Sequence, residues 1–240
     1  RFGGIGSGEA EYSGENRRNG LMLYYYLKQK PDTATTVTLE FLEQDTIVIR
    51  KFSNKAKEKR DLLEPKDSCN LFVWDLNYPG AKRFDGMILW WAGVGGPTAL
   101  PGDYKVRLTV NEKSQTQPFT ILKDPRSPAT QQQMKAQFDF VQAVTNKLTE
   151  THEAIIKIRD VRKQLNDYKE RIKPDENMKD VVKMAAAIDS VMTKVEETLY
   201  QTKNRSGQDP LNFPIRLNNK LAHLNALTGI GDDAPTEQAI

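Results

Sequence analysis

The chain has 240 residues, 38% hydrophobic and 28% charged, with a formal net charge of +3, an ordinary globular composition with room for one large or two small buried cores. Both signs of charge are spread evenly through both halves, which leaves no polyanion-binding face and argues against a nucleic-acid partner. Cys69 is the only cysteine, so an intrachain disulfide and a cysteine-built metal site are excluded, and no apolar run is long enough to span a membrane.

The chain opens on Arg1-Phe2 and a glycine-rich stretch (Gly3, Gly4, Gly6, Gly8), and residues 1–19 are expected to be a linker from a missing upstream domain. Residues 20–27 form an apolar and aromatic run of strand length, ended by Lys30-Pro31-Asp32. Residues 36–42 alternate, with Val37, Leu39 and Phe41 on one face, and residues 47–52 follow after a turn, predicting a hairpin. Residues 70–76 set Leu71 and Val73 against Phe72, Trp74 and Leu76, then stop at the turn signal Asn77-Tyr78-Pro79-Gly80. After Pro101-Gly102, the residues Tyr104, Val106, Leu108 and Val110 alternate with Lys105, Arg107 and Thr109, and Asn111-Glu112-Lys113 turns the chain into residues 114–122. Short alternating strands with no helix between them predict an antiparallel, immunoglobulin-like sandwich of roughly seven strands over residues 20–124.

The periodicity changes once, at Lys123-Asp124-Pro125-Arg126-Ser127-Pro128. Beyond it Met134, Phe138, Val141, Val144, Leu148, Ile155, Ile158, Val161 (or Arg162) and Leu165 recur at helical spacing, with Pro128 and Thr130 marking the start and Pro174 the end. A second helix over residues 176–203 carries the stripe Val181, Met184, Ile188, Val191, Val195 and Leu199. A third runs from about Pro214 through Leu217, Leu221, Leu224 and Leu227 to Gly229, with Asn218 and Asn219 as candidates for buried polar contacts. Three such stripes predict an antiparallel three-helix bundle over residues 125–230. The brevity and proline content of the joint predict that sandwich and bundle pack together. Residues 231–240, with Thr236 as a cap, read as the truncated start of a further helix.

The chemistry is sparse. A metal or acid-base role would need His152, Glu153 and His223 to converge with carboxylates such as Glu150 or Glu196, yet no His-x-x-x-His or paired Glu-x-x-His spacing occurs. Asp75 with Asp85 or Asp103 could make a glycosidase pair, but turn and strand-end roles explain these acids more simply. Gly93-Val94-Gly95-Gly96-Pro97 lacks the Lys-Ser/Thr of a phosphate loop, and the basic run over residues 55–60 reads as a solvated loop. No catalytic residue, metal or cofactor is implied. Trp90 and Trp91, between Gly86 and Gly93, are the binding candidates: aromatic rings there could stack on a sugar or anchor a partner, or else plug the sandwich end or pack on the neighbouring module. The exposed edge of the helical stripe is a second expected interface.

The run Leu71-Phe72-Val73-Trp74-Asp75-Leu76-Asn77-Tyr78-Pro79-Gly80, then Gly96-Pro97, Leu100-Pro101-Gly102-Asp103-Tyr104-Lys105-Val106-Arg107-Leu108-Thr109-Val110 and Asp124-Pro125-Arg126, resembles a known segment. It is the one that follows the β-propeller in large exported bacterial proteins of the sortilin-like or neuraminidase-repeat "glycosyl hydrolase" type, common in Bacteroidetes. Leu211-Asn212-Phe213-Pro214-Ile215-Arg216-Leu217-Asn218-Asn219-Lys220-Leu221 resembles the helical tail of those proteins, and the β part is similar to the immunoglobulin-like domain of the flagellar hook-capping protein. The resemblance implies a secreted, periplasmic or outer-membrane location and an upstream propeller as intramolecular partner. It also implies an accessory role, with any hydrolase site lying in the propeller; a carbohydrate-binding role is the alternative. Residues 55–66 and 84–94 are longer than the usual loops of that family.

Overall fold

A computed structural model describes residues 18–44, 46–173 and 175–240; the linker expected over residues 1–19 lies almost wholly outside the described residues. Six strands precede three helices: β1 (Leu21–Leu27), β2 (Val37–Glu43), β3 (Ile47–Ser53), β4 (Ser68–Trp74), β5 (Gly102–Val110), β6 (Lys113–Ile121), α1 (Gln131–Ile172), α2 (Lys179–Leu199) and α3 (Leu217–Thr228). The α+β class with an N-terminal sandwich is thus observed, with six strands among the described residues where roughly seven are expected from sequence. All pairings are antiparallel, in a sheet of order β3-β2-β5-β6 facing a two-stranded sheet β1-β4.

Alternation decides which side chains meet between the sheets. Val37, Leu39 and Phe41 from β2 are fully buried, and Trp74 of β4 stacks on Phe41 at 4.4 Å between centroids. The indole N–H of Trp74, which could not be buried unpaired, donates to the Asn77 carbonyl at 3.2 Å. On the outer face Glu40 lies across from Lys51 on one side and Arg107 on the other, and both cations pair with it at 3.2 and 2.7 Å. Pro118 sits on β6, an edge strand, where its missing N–H breaks no interior ladder.

The joint is tied down locally. The Asp124 carboxylate accepts from the backbone N–H of Arg126 at 2.9 Å and from its guanidinium at 2.7 Å, which holds the Asp124 pKa down to about 2. Thr130 and Gln133 then form a capping box at the start of α1. The amide of Gln131 donates to the Pro101 carbonyl at 3.1 Å, and Phe138 meets Tyr78 edge-on at 4.9 Å, so α1 is docked on the sandwich from its first turns. α1 has 42 residues, and both α2 and α3 pack chiefly on it rather than on each other.

The rotation of α2 differs from the sequence expectation. Val182, Ala185, Asp189, Met192 and Glu196 are buried or half-buried, whereas Val181, Met184, Ile188, Val191 and Val195, five of the six residues of the predicted inward stripe, face solvent; the sixth, Leu199, is partly buried. Each exposed apolar residue stands one position before a covered one. Part of the reason is chemical: Arg162 and Arg159 of α1 hold Asp189 and Glu196 at 2.5–2.7 Å, and these carboxylates share a face with Ala185. Residues 231–240 form turns, with the Ala239 N–H donating to the Thr236 carbonyl at 2.9 Å.

Between β4 and β5 the chain makes an excursion with no regular helix or strand. Its two limbs pair at the root, Tyr78 N–H to the Pro97 carbonyl at 2.9 Å and Ala81 N–H to the Val94 carbonyl at 2.8 Å. A Cβ on Gly80 would run into the Val94 carbonyl, and one on Gly96 into the carbonyls of Tyr78 and Pro79, so close approach of the limbs demands glycine at both. Replacing either by alanine should lower unfolding stability by about 1–3 kcal/mol in chemical denaturation, while Gly93→Ala, where a Cβ meets nothing within 4 Å, should stay within about 0.5 kcal/mol of the parent.

Candidate functional site

An excursion of irregular backbone laid against helices must find partners for its peptide groups, because a buried unpaired N–H or C=O costs about 1–3 kcal/mol. Helix backbones cannot supply them, since their own groups are used internally. Side chains do. Asn219 on α3 accepts from the Trp90 N–H at 2.8 Å and donates to the Trp90 carbonyl at 3.1 Å, so one amide satisfies both peptide groups of that residue. His223, one turn further on, donates Nε2–H to the same carbonyl at 2.6 Å. Asn225 donates to the Gly95 carbonyl at 2.9 Å. On the other side, the Tyr200 hydroxyl accepts from the Ile88 N–H at 3.1 Å and donates to the Gly86 carbonyl at 3.2 Å.

His152 of α1 is fully buried and donates Nδ1–H to the Lys82 carbonyl at 2.5 Å. That bond selects the neutral tautomer with a bare Nε2, which has no partner. Burial, assisted by the charge of Arg83, holds the imidazole below its ordinary pKa. Phe84 fills the space beside it, edge-on to His152 at 5.2 Å and to Tyr200 at 5.1 Å, with the Arg159 guanidinium 4.8 Å above its ring. Ala81, Val94, Val144, Leu148 and Ala222 complete the contact, so the excursion shares its core with the helices rather than with the sandwich.

At the tip this frame presents Trp91. Its neighbour Trp90 is half-buried and clamped, while Trp91 is 88% exposed with its backbone in the left-handed region at φ 51°. A bulky residue adopts that conformation only where the surroundings over-determine it; here the clamp on Trp90 does so, and the indole is held out into solvent. The structure therefore separates the two tryptophans: Trp90 contributes its peptide group to the docking, and Trp91 carries the free ring.

The remaining candidates disperse. Glu196 is engaged by Arg159 and Arg162; burial would raise its pKa, but the hydrogen bonds from Arg162 and Arg159 outweigh this and the carboxylate is held below its ordinary value. Glu150 pairs with Lys147, and Glu153 with Lys82. Asp75 accepts from the Asn77 N–H two residues on, a local turn contact, and Asp103 from the Thr120 hydroxyl opposite it in the β5–β6 ladder. Among the described residues no group of three or more His, Cys, Asp or Glu side chains is placed to hold a metal ion. A cleft of about 400 Å³ lies between the returning limb, α1 and α3, lined by Gly95, Phe138 and Asn225 among others; Asp232 is its one ionisable lining side chain. The cleft therefore has no acid-base pair. No helix among the described residues is long and apolar enough to cross a membrane.

Asn218 and Asn219 are buried, as the sequence leads one to expect, and His152 and His223 do not converge but bond to different carbonyls of the excursion; no sequence signal marks Asn225 and Tyr200 as its partners. Asn225 and Tyr200 bond to residues more than a hundred positions away, beyond any local pattern. No family model, curated protein or solved structure matches the chain.

Two measurements check this docking. Asn219→Ala leaves the Trp90 N–H unpaired and its carbonyl held by His223 alone, and should cost about 1–3 kcal/mol of unfolding free energy, with loss of near-ultraviolet tryptophan dichroism. For His152, a folded pKa below the unfolded value of about 6.5 means that the unfolded chain gains protons first as pH falls. Its contribution to stability is present above that value and is lost as pH drops through it. Thermal unfolding followed between about pH 7.5 and 5 should fall less steeply in His152→Gln than in the parent.

Proposed function

We propose that the chain is a noncatalytic docking module of a larger exported cell-envelope protein, in which the Trp91 loop anchors a protein surface. The observation that carries the reading is the presentation of Trp91: a ring 88% exposed, on left-handed backbone, at the tip of an excursion whose peptide groups are bolted to two helices. Rigid aromatic anchors of this kind concentrate binding energy because little side-chain entropy is lost on contact. The likeness of residues 71–110 and 211–221 to the region after the propeller in exported bacterial proteins supports an accessory role and makes such a propeller, in the same polypeptide, the favoured partner. Dispersal of the histidines and carboxylates into structural contacts supports the absence of a catalytic task.

Carbohydrate binding is the competing use of an exposed tryptophan. Sugar sites are concave and place several polar groups around the ring, whereas the Trp91 ring is 88% exposed. Titration of glycans against tryptophan fluorescence discriminates the two. The docking reading expects no saturable response to glycans, and loss of at least about tenfold in affinity for the cognate protein surface on Trp91→Ala, with the circular dichroism unchanged. A saturable glycan response that Trp91→Ala abolishes would overturn it.

A further inference from the structure

We infer that two copies of this chain associate through the apolar face of the α1–α2 hairpin, with the two α2 helices antiparallel across a two-fold axis. Val181, Met184, Ile188, Val191 and Val195 are exposed to 37%, 66%, 47%, 61% and 45%, and their alternating spacing of three and four is the a/d repeat of a coiled coil. α1 adds Val161 and Tyr168, exposed to 36% and 42%.

These residues share one side of the hairpin by helix geometry. Arg162 faces α2, where it pairs with Asp189 and Glu196, and Arg159 pairs with Glu196, so the helices run antiparallel. Each step along a right-handed helix turns a side chain by about 100°. Two antiparallel helices turn in opposite senses when viewed end on. The position just before a facing residue therefore points to the same side on both: Val161 before Arg162 on α1, and Val181, Met184, Ile188, Val191 and Val195 before Val182, Ala185, Asp189, Met192 and Glu196 on α2. The stripe from Val181 to Val195 is about 21 Å long and the hairpin two helices, about 20 Å, wide. The face thus offers about 400 Å² per copy, the size of a weak, concentration-dependent association rather than the ~800 Å² per partner of standard interfaces.

Charge selects the occupant. In the heptad frame with Val181 at a and Met184 at d, the flanking g positions are Asp180, Ala187 and Lys194. An antiparallel pairing of a with d layers sets Val181 against Val191 and Met184 against Ile188 of the other copy. The same register places Asp180 of each copy beside Lys194 of the other, with the small Ala187 near the axis. A parallel pairing would instead face the g positions with the e positions Ala185, Met192 and Leu199, leaving Asp180 and Lys194 without a charged partner across the interface. Within the single chain Asp180 makes an exposed pairing with Lys183 at 3.3 Å, which contributes little. The pattern is self-complementary, as a two-fold interface requires. It is independent of the Trp91 loop.

The test is sedimentation equilibrium of the 240-residue chain at concentrations up to about 100 µM. The expected result is a concentration-dependent dimer, with Ile188→Glu giving a monomer of unchanged circular dichroism. Asp180→Lys alone should weaken the dimer about tenfold, and Asp180→Lys combined with Lys194→Asp should restore it. A chain that stays monomeric throughout, a dimer indifferent to Ile188→Glu, or a charge swap that fails to restore association would each overturn the inference.

Discussion

The structure depends on satisfying the backbone of one irregular segment. Between β4 and β5 the chain leaves the sandwich, crosses to the helices and returns, and away from the paired root its peptide groups have no ladder to join. The helices answer with a set of side chains whose polar ends reach sideways: Asn219, His223 and Asn225 from α3, His152 from α1, and Tyr200 just beyond α2. The cost of leaving those groups unpaired in a dry contact fixes where every helix must lie. Sandwich and helices are joined less by the short proline-containing joint than by this inserted segment.

Seen from the helices, the same requirement accounts for residues that a bundle would otherwise avoid. Asn218, Asn219 and Asn225 are buried on a helix of only 12 residues, and His152 is fully buried in the middle of α1. Polar groups inside a bundle weaken it unless each finds a partner. All but Asn218 of these have an identified one on the excursion. The length of α1 follows too, because a single helix has to touch the sandwich at Phe138, the excursion and α3 around Leu148, and α2 beyond Ile155.

What the sequence reveals and hides follows from the range of each interaction. Alternation in residues 37–41 and 104–110 is a local signal, and it located the strands, the hairpins and the buried faces correctly, as did Thr130 for the start of α1. The two tryptophans stood out by composition, but nothing local distinguishes Trp90, whose backbone is clamped, from Trp91, whose ring is free. The rotation of α2 is hidden for the same reason. Periodicity places its apolar stripe in the bundle interior, whereas the helix is turned so that Glu196 meets two arginines and Tyr200 reaches the excursion. A pairing between residues 86 and 200 outweighed a seven-residue repeat.

That outcome has an energetic logic. A buried ion pair rarely stabilises a fold more than well-packed apolar residues would, so Arg159, Arg162, Asp189 and Glu196 alone do not explain why Val181, Met184, Ile188, Val191 and Val195 are left outside. Arg159 supplies the missing connection, since its guanidinium both pairs with Glu196 and lies over the rings of Phe84 and Tyr200. Turning α2 to bury its apolar stripe on α1 would carry Glu196 away from Arg159 and Tyr200 away from Gly86 and Ile88, removing the two hydrogen bonds that Tyr200 makes to the excursion. The exposed stripe on α2 therefore follows from its hold on the excursion at Gly86 and Ile88, whereas Trp91 is presented by the separate clamp of α3 on Trp90.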